Sequence, residues 1–390
     1  MTFLRFSLPK QVILCLTTLE NAGYEAFCVG GAVRDMLMGN PSPSDFDITT
    51  NCTPDGIIKI FPHTIPTGID HGTVTVLSDG MPIEVTTYRV EGGYADSRHP
   101  DKVSFVGNIE DDLSRRDFTV NAIAYNEKNG IFDPFSGLDD IKDGILRTVG
   151  DPHRRFSEDA LRIMRLYRFA SKLGFLPVKE TRAAAEELMP LLQKISAERI
   201  FSELCGMLCG KLPENADGFF SLGALEFLGL KKCSIGGFNS LPADRSIRFA
   251  ALMLRSGSDS KEVLSALRAD NKLKSEVAAL CELCGRKMPE NKVEIKLLLR
   301  EYGEEIFEKY PALLAFTEGC DTAALRDLFS EIKSNREPYG IAALAIGGDD
   351  IKALGYSGRE VGRLLERLLL EVIKDPEKNK PDTLKKLITK

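Results

Sequence analysis

Strand-forming text is confined to the first 150 residues of this 390-residue chain. Beyond Ser157 almost every stretch has helical spacing. Leu161, Met164, Leu166 and Phe169 continue one helix, and Val361, Leu364, Leu365, Leu368 and Leu369 form the apolar stripe of another. The fold expected is therefore α+β, a small mixed α/β head followed by a long all-helical body. Within the head, Leu8–Leu19 has helical spacing and Ala26–Val29 is a short apolar run ending in a glycine pair. Thr73–Leu77 and Ile83–Tyr88 are rich in β-branched residues, and Asp79-Gly80 between them is a hairpin signal. Gly236-Gly237, Pro289, Pro338 and Gly347-Gly348 punctuate the helical remainder, which shows no internal repeat.

Charge argues against an overtly nucleic-acid-binding chain: 51 Lys and Arg against 57 Asp and Glu give −6. A local basic groove can still exist within an acidic whole. The ordinary 43% hydrophobic and 28% charged content excludes wholesale disorder. No apolar run approaches the roughly 20 residues of a membrane span, and the opening residues lack the pattern of a signal peptide. Nine cysteines, an odd number, fit reduced thiols and a cytoplasmic setting better than a disulfide framework. Cys281-x-x-Cys284 and the Cys205/Cys209 pair read as ordinary thiols, with a metal or redox site as the alternative.

The head carries the chemistry. Gly30-Gly31-Ala32-Val33-Arg34-Asp35 follows a strand-like run and opens a helix, where glycines let a phosphate approach the backbone and Arg34 could add an anchor. A tight strand-to-helix turn is the plainer alternative. No GxxxxGK[ST] loop occurs, which disfavours that class of NTPase. Asp45-Phe46-Asp47 places two carboxylates at i and i+2, expected on one face of a strand. Their repulsion is costly unless cations lie between them, a pattern suited to Mg²⁺. Glu84, on a neighbouring strand, completes an expected three-carboxylate set for two ions and nucleotidyl transfer. A solvated D-x-D loop is the competing reading.

These motifs, with Arg115-Arg116-Asp117-Phe118-Thr119-x-Asn121-Ala122, Glu158-Asp159-x-x-Arg162-x-x-Arg165 and Ser196-x-Glu198-Arg199-Ile200, resemble the class II tRNA nucleotidyltransferases. That family comprises the CCA-adding enzymes and bacterial poly(A) polymerases, within the polymerase-β-like superfamily. The resemblance spans about half the chain and is looser beyond Cys209, although Asp375-Pro-Glu-Lys-Asn379 is similar to the tail of bacterial members. It implies a nucleotidyltransferase head over 1–150, a helical neck that recognises the nucleotide over 151–210, a helical body over 211–335 and a tRNA-binding tail over 336–390.

The resemblance also implies roles. Asp45 and Asp47 would ligate Mg²⁺, with Glu84 as a supporting catalytic carboxylate, while Gly31, Arg34, Arg116, Asp117, Arg165 and Arg168 would contact the nucleotide. Arg162, Arg165 and Arg168 recur every three residues after Asp159, expected as a charged ladder along one helix; a solvated charged face is the alternative. In the family Asp159 and Arg162 would act as an amino-acid template. Cytosine and adenine both present an exocyclic amine beside a ring-nitrogen acceptor, which a carboxylate and a guanidinium satisfy, whereas uracil and guanine present the inverse order. CTP and ATP are thus the expected nucleotides and tRNA the expected partner, with no membrane partner; a homodimer is left open.

Glu91–Pro100, rich in glycine and charge, reads as a mobile loop that in relatives helps the pocket shift from C to A. No histidine follows His153, so the body cannot hold the His-Asp metal site of some related enzymes. Lys231, Lys232, Lys272, Lys274, Lys378, Lys380, Lys385 and Lys386, and the turn Gly355–Arg359, are candidate tRNA-backbone contacts. Phe61–Thr75 looks more like the CCA- or A-adding group than the poly(A) polymerases. An A-only or poly(A) enzyme is the near rival, and a catalytically silent RNA-binding protein the distant one.

Overall fold

The computed structural model describes residues 6–40, 43, 45–92 and 102–388. They divide into two compact units, one running to Leu228 with Ser234–Gly236, the other holding Gly229–Cys233 and the residues from Gly237 onward. In the first unit α1 (Lys10–Asn21) leads into β1 (Ala26–Val29), α2 (Gly31–Leu37), β2 (Asp47–Thr50), α3 (Pro54–Ile60), β3 (Thr64–Gly68), β4 (Thr73–Ser78) and β5 (Met81–Thr87). A two-stranded antiparallel arm, β6 (Arg89–Gly92) with β7 (Lys102–Phe105), precedes α4 (Ile109–Ser114), β8 (Ala124–Asn126), β9 (Gly130–Phe132) and α5 (Gly137–Asp143). The rest of Glu91–Pro100 beyond Gly92 lies outside the described residues.

Seven strands form one mixed sheet in the order β3-β4-β5-β2-β1-β8-β9. An interior strand, β1, is apolar throughout because it is covered on both faces: Ala26 and Cys28 join one core with Leu16, Leu19 and Val33, while Phe27 and Val29 join another with Tyr88 and Leu113. The β4–β5 hairpin closes as the sequence suggests, with Asp79 (φ 47°) and Gly80 (φ 81°) both in the left-handed region that a tight hairpin turn needs. The β2–β5 pairing is parallel and sets Asp47 opposite Glu84.

Tight packing fixes the turn that follows the Arg-Arg-Asp segment. A Cβ built on Gly137, at the start of α5, would run into the carbonyl of Thr119 and come within 2.9 Å of Ile123 Cγ1. Backbone cannot yield as a flexible side chain can. Gly137→Ala is expected to cost about 1–3 kcal/mol, as overpacking does, which thermal denaturation will read as a lower Tm; an unchanged Tm would show the turn to be soft.

The neck contributes α6 (Pro152–Glu158), α7 (Leu161–Leu173), α8 (Lys179–Leu188) and α9 (Ala197–Leu208), with the short α10 (Asp217–Ser221) after them. The second unit is helical, from α11 (Arg245–Ser256), α12 (Ser260–Ala266), α13 (Asn271–Cys284), α14 (Lys292–Tyr302), α15 (Glu304–Glu318) and α16 (Ala323–Ser334) to α17 (Gly348–Ala353), α18 (Arg359–Lys374) and α19 (Pro381–Ile388). Ile351, Val361, Leu365, Leu368, Leu384 and Ile388 make a small separate core at its end. None of the nine cysteines forms a disulfide, and burial pushes the Cys281 thiol up to about 11 and that of Cys284 up to about 12, as expected of inert thiols. No helix among the described residues is long and apolar enough to cross a membrane.

Candidate active site

Two residues of the sheet bring carboxylates side by side. Asp47 opens β2 and Glu84 lies directly opposite it on β5, so both project from the same face. Asp45 departs from expectation: it stands two residues before β2, exposed, rather than on the strand. The reason is the end of the ladder. β1 pairs with β2 only as far as Val29 with Asp47, because Gly30 (φ 75°) then turns the chain into α2 and leaves Asp45 no strand to join. Asp45 remains close enough to act electrostatically: burial raises the Asp47 carboxyl above its usual range, Arg116 opposes this, and Glu84 and Asp45 both push it further up.

Among the described residues, no three His, Cys, Asp or Glu side chains gather tightly enough to enclose an ion by themselves. The three carboxylates expected from the sequence stand here as an open pair, Asp47 with Glu84, and Asp45 beside it. That donor set still fits a hard divalent cation, which one or two carboxylates can hold together with substrate phosphates and water.

Arg116 faces the pair. A Cβ on Gly30 would lie 3.1 Å from Arg116 Nη1 and 3.7 Å from Asp47 Oδ2, so the glycine, the guanidinium and the carboxylate share one small space. Asp112, fully buried on α4, holds the arginines from behind. It accepts from Arg115 Nε at 3.0 Å and Thr49 Oγ1 at 3.0 Å, with Arg116 Nη2 at 3.7 Å. Burial would raise its carboxyl, but Arg115 and then Arg116 hold it below the usual range. Gly31 sits at the start of α2, where an added Cβ would approach Arg34 Nη2 at 3.6 Å. Arg34 itself is buried, bonded to Asp35 Oδ1 at 2.6 Å and to Asn121, so it braces the turn from below.

The next residue of the Arg-Arg-Asp segment turns toward the neck. Asp117 is buried and accepts from its neighbour's backbone (Phe118 N, 2.8 Å), from Asn121 Nδ2 at 3.0 Å, and from Arg165 at 2.6 Å. Burial, the largest single influence, would raise its carboxyl; the Arg165 charge, the bonds from Asn121 and Arg165, and the Arg162 charge together outweigh it and hold the pKa at about 2. The Arg115 carbonyl accepts from Arg162 Nη2 at 3.1 Å and from Arg155 Nη1 at 3.3 Å. One tripeptide, Arg115–Asp117, thus joins the carboxylate face to the arginines of the neck.

The charged ladder is real but shorter than expected. Asp159 is not on the helix of Arg162: it lies between α6 and α7 in extended backbone (φ −141°, ψ 104°). Its Oδ1 accepts from Leu161 N at 3.0 Å, a local bond that competes with helix continuation. Arg162, Arg165 and Arg168 do share one side of α7, half-buried rather than solvated, each with a carboxylate partner: Glu158, Asp117 and Glu203. Phe169, buried behind them, has the guanidinium of Arg168 at 4.2 Å, Arg34 at 5.2 Å and Arg165 at 5.3 Å from its ring centre. Phe169 is legible in the sequence only as part of an apolar stripe, and Asp112, Arg155 and Glu203 not at all; a buried charge inside charge-rich text gives no local signal, and only the Arg-Arg-Asp context hints at Asp112.

The second unit offers less. Lys272, Lys378, Lys380 and Lys385 each have a carboxylate partner (Glu305, Glu371, Glu377 and Asp350), and Lys231 donates to the Gly257 carbonyl. Gly358 (φ 61°) caps α18 after the Gly355–Arg359 turn. A cleft of about 620 Å³ there, lined by Pro242, Pro311, Phe316, Arg326 and Phe329, holds none of the residues expected for chemistry.

Comparison with known proteins bears on the chain as a whole. The head matches the poly A polymerase head domain over residues 26–147, and residues 174–228 match the probable RNA and SrmB-binding site of polymerase A. A CCA-adding enzyme of Ligilactobacillus salivarius is 35% identical over 386 residues, covering 93% of this chain and 92% of the relative. One of Anoxybacillus flavithermus is 49% identical over 207 residues, about half of each chain. The crystal structure of the Bacillus stearothermophilus CCA-adding enzyme in complex with CTP superposes with a TM-score of 0.80 at 31% identity, covering 97% of this chain and 98% of that one. Similarity of that extent over nearly the whole of both chains fixes the family: this chain belongs to the CCA-adding enzymes.

Proposed function

We propose that this protein adds C, C and A to the 3′ end of tRNA without a nucleic-acid template, using CTP and ATP and releasing pyrophosphate. The observation that supports this most is the bridge at Arg115–Asp117, which ties the Asp47/Glu84 face to the arginines of α7 within one compact unit. Asp45 and Asp47 would hold the ion, with Glu84 beside them. The family's chemistry uses a divalent metal, and Mg²⁺ is the one this all-oxygen donor set suits. When bound, the ion supplies positive charge to the triphosphate and the attacking hydroxyl.

The chain's own residues do the rest. The tRNA 3′ hydroxyl attacks the α-phosphate in line with the departing pyrophosphate. Arg116, beside Gly30, meets the negative charge of the triphosphate, while Asp117, kept ionised by Arg165, accepts from the ribose hydroxyls. Gly31 lets the phosphates approach the backbone, and Arg34 holds that turn from beneath. Asp159 accepts from the exocyclic amine of C or A and Arg162 donates to the ring nitrogen, so U and G each leave these groups facing like partners. The parts would be a catalytic head (1–150), a nucleotide-reading neck (151–210), a body (211–335) and a tail (336–390) that grip the acceptor arm.

Incubating the protein and Mg²⁺ with tRNAs that end before C, C or A, each with single NTPs, then sequencing the products, tests this. The expected result is stepwise C, C, A with no U or G. Addition of A alone, or of an A run, would replace this reading with an A-adding or poly(A) enzyme.

A further inference from the structure

α14 carries a cation at every fourth residue: Lys292, Lys296 and Arg300. At that spacing the three share one side of the helix. Each meets a carboxylate that lies beyond the end of α16. Glu337 accepts from Lys292 Nζ at 2.8 Å and from Lys296 Nζ at 3.0 Å, and Arg300 pairs with Glu366 on α18. Lys292 also reaches Glu331 of α16 at 2.9 Å. Lys296 is only 1% exposed, which is rare for a lysine. Burial would raise the Glu337 carboxyl, but the bonds from Lys292 and then Lys296 hold it below its usual range.

Glu337 stands at a sharp change of chain direction. α16 ends at Ser334, and Arg336 then takes a φ of 51°, a conformation unfavourable for a residue other than glycine. Its N–H bonds the Lys333 carbonyl at 3.1 Å, and that of Glu337 bonds the Ile332 carbonyl at 3.0 Å, a pair that closes the helix. Such a turn persists where its surroundings fix it. Further along, Asn379 grips the connecting segment: its Oδ1 accepts from Ala345 N at 2.7 Å and its Nδ2 donates to the Ala343 carbonyl at 2.9 Å. The small core that follows is built from residues between Leu344 and Ile388. A buried ion pair gains little net stability over an apolar pair of similar volume. It does hold at one place along a helix, where apolar side chains can slide.

We propose that Lys296 is a positioning residue for tRNA: with Lys292 and Arg300 it latches Glu337 and Glu366 to α14, and so fixes the direction in which the tail leaves the body. This rests on the reading of body and tail as the parts that grip the acceptor arm. The latch touches neither nucleotide nor metal. Its loss leaves each part folded on its own core but lets the tail settle in more than one direction, so that the two gripping surfaces no longer meet one tRNA together. The cost falls on tRNA binding, and the chemistry of a tRNA once bound is unchanged.

The test measures KM for tRNA, KM for CTP and kcat at saturating tRNA, with Tm as a check on folding, in three variants of the full chain. Lys296→Met with Glu337→Gln removes the buried pair without stranding a charge. It is expected to raise KM for tRNA about 10-fold, as misplaced binding groups do, while kcat and KM for CTP stay as they are. Arg300→Met, which loses a more exposed pair and so keeps its fold, should raise KM for tRNA in the same direction by less. If the double variant fails to fold, Arg300→Met decides, and an unchanged KM for tRNA there overturns the latch. The third variant, Arg359→Glu with Arg363→Glu on the exposed side of α18, probes the reading beneath. A raised KM for tRNA in this variant, with normal values in the latch variants, would overturn the positioning role and leave the tail as a tRNA surface. A normal KM for tRNA in all three would remove the tail from tRNA binding, and the positioning role with it. A lower Tm and kcat in the double variant at unchanged KM for tRNA would make Lys296 a clamp for stability alone, and would also overturn the proposal.

Discussion

Asp47→Asn is expected to abolish nucleotide transfer while leaving the fold intact or slightly firmer. Asp47 is the carboxylate that shares its space with Gly30 and Arg116 and stands opposite Glu84. A metal-held phosphate is worth several kcal/mol of transition-state stabilisation, and at 1.36 kcal/mol per factor of ten that is a loss of about 10³-fold or more in kcat. Stability should move the other way. Burial, Glu84 and Asp45 raise the Asp47 pKa, whereas Arg116 opposes them. A raised carboxylate pKa means that the folded state binds its proton more tightly than the unfolded chain does. Its contribution is then present at low pH and is lost as pH rises through the folded pKa. At neutral pH the ionised Asp47 is a burden, which an uncharged asparagine lifts. Mg²⁺ with CTP should raise the Tm of the unaltered protein, because ligands that bind only the folded state stabilise it, and should do so far less for Asp47→Asn. An Asp47→Asn enzyme with near-normal kcat would remove this carboxylate from the chemistry.

What the sequence discloses follows from the range of the forces involved. The hairpin at Asp79-Gly80 is legible because two adjacent residues need positive φ, which is a property of the local text. The helices of the second unit are legible because a burial stripe such as Val361–Leu369 repeats within a few turns. Asp47 and Glu84 are both nameable, and their parallel register is not, since the two residues are joined by a helix and two hairpins rather than by any local rule. The break at Asp159 was missed for the opposite reason: the helical spacing on either side is good, and a single side-chain bond to Leu161 N outcompetes it. Asp45 was placed on a strand because alternation looks only along the chain, while the strand ends where its partner β1 gives out at Val29. Least legible were the partners of the arginines. Glu158, Asp117 and Glu203 are three carboxylates among 57 acidic residues, and only the fold decides which guanidinium each meets.

The pairing of Asp117 with Arg165 holds its carboxylate well below the usual range, and breaking it should expose what joins head to neck. Arg165→Met leaves the buried Asp117 carboxylate with Asn121 and the Phe118 backbone N–H but no ion-paired cation. Stranding a buried charge costs about 3–5 kcal/mol in fully enclosed sites; with the Arg165 side chain one-third exposed, water returns part of this and about 2–3 kcal/mol is expected. The pH dependence carries a defined sign. Asp117 is held at about 2 against an ordinary 3.8, so the pair's contribution is complete above the unfolded pKa and fades as pH falls from about 4 toward about 2. The gap in denaturant stability between the unaltered protein and Arg165→Met should therefore be full at pH 7 and shrink through that window. A second substitution separates lost attraction from stranded charge. In Asp117→Asn with Arg165→Met the buried group is neutral and can still meet Asn121, so the double variant should be more stable than Arg165→Met alone. If it is equally unstable, the loss comes from the arginine's other contacts, such as its guanidinium over the Phe169 ring of the same helix, and not from a stranded charge.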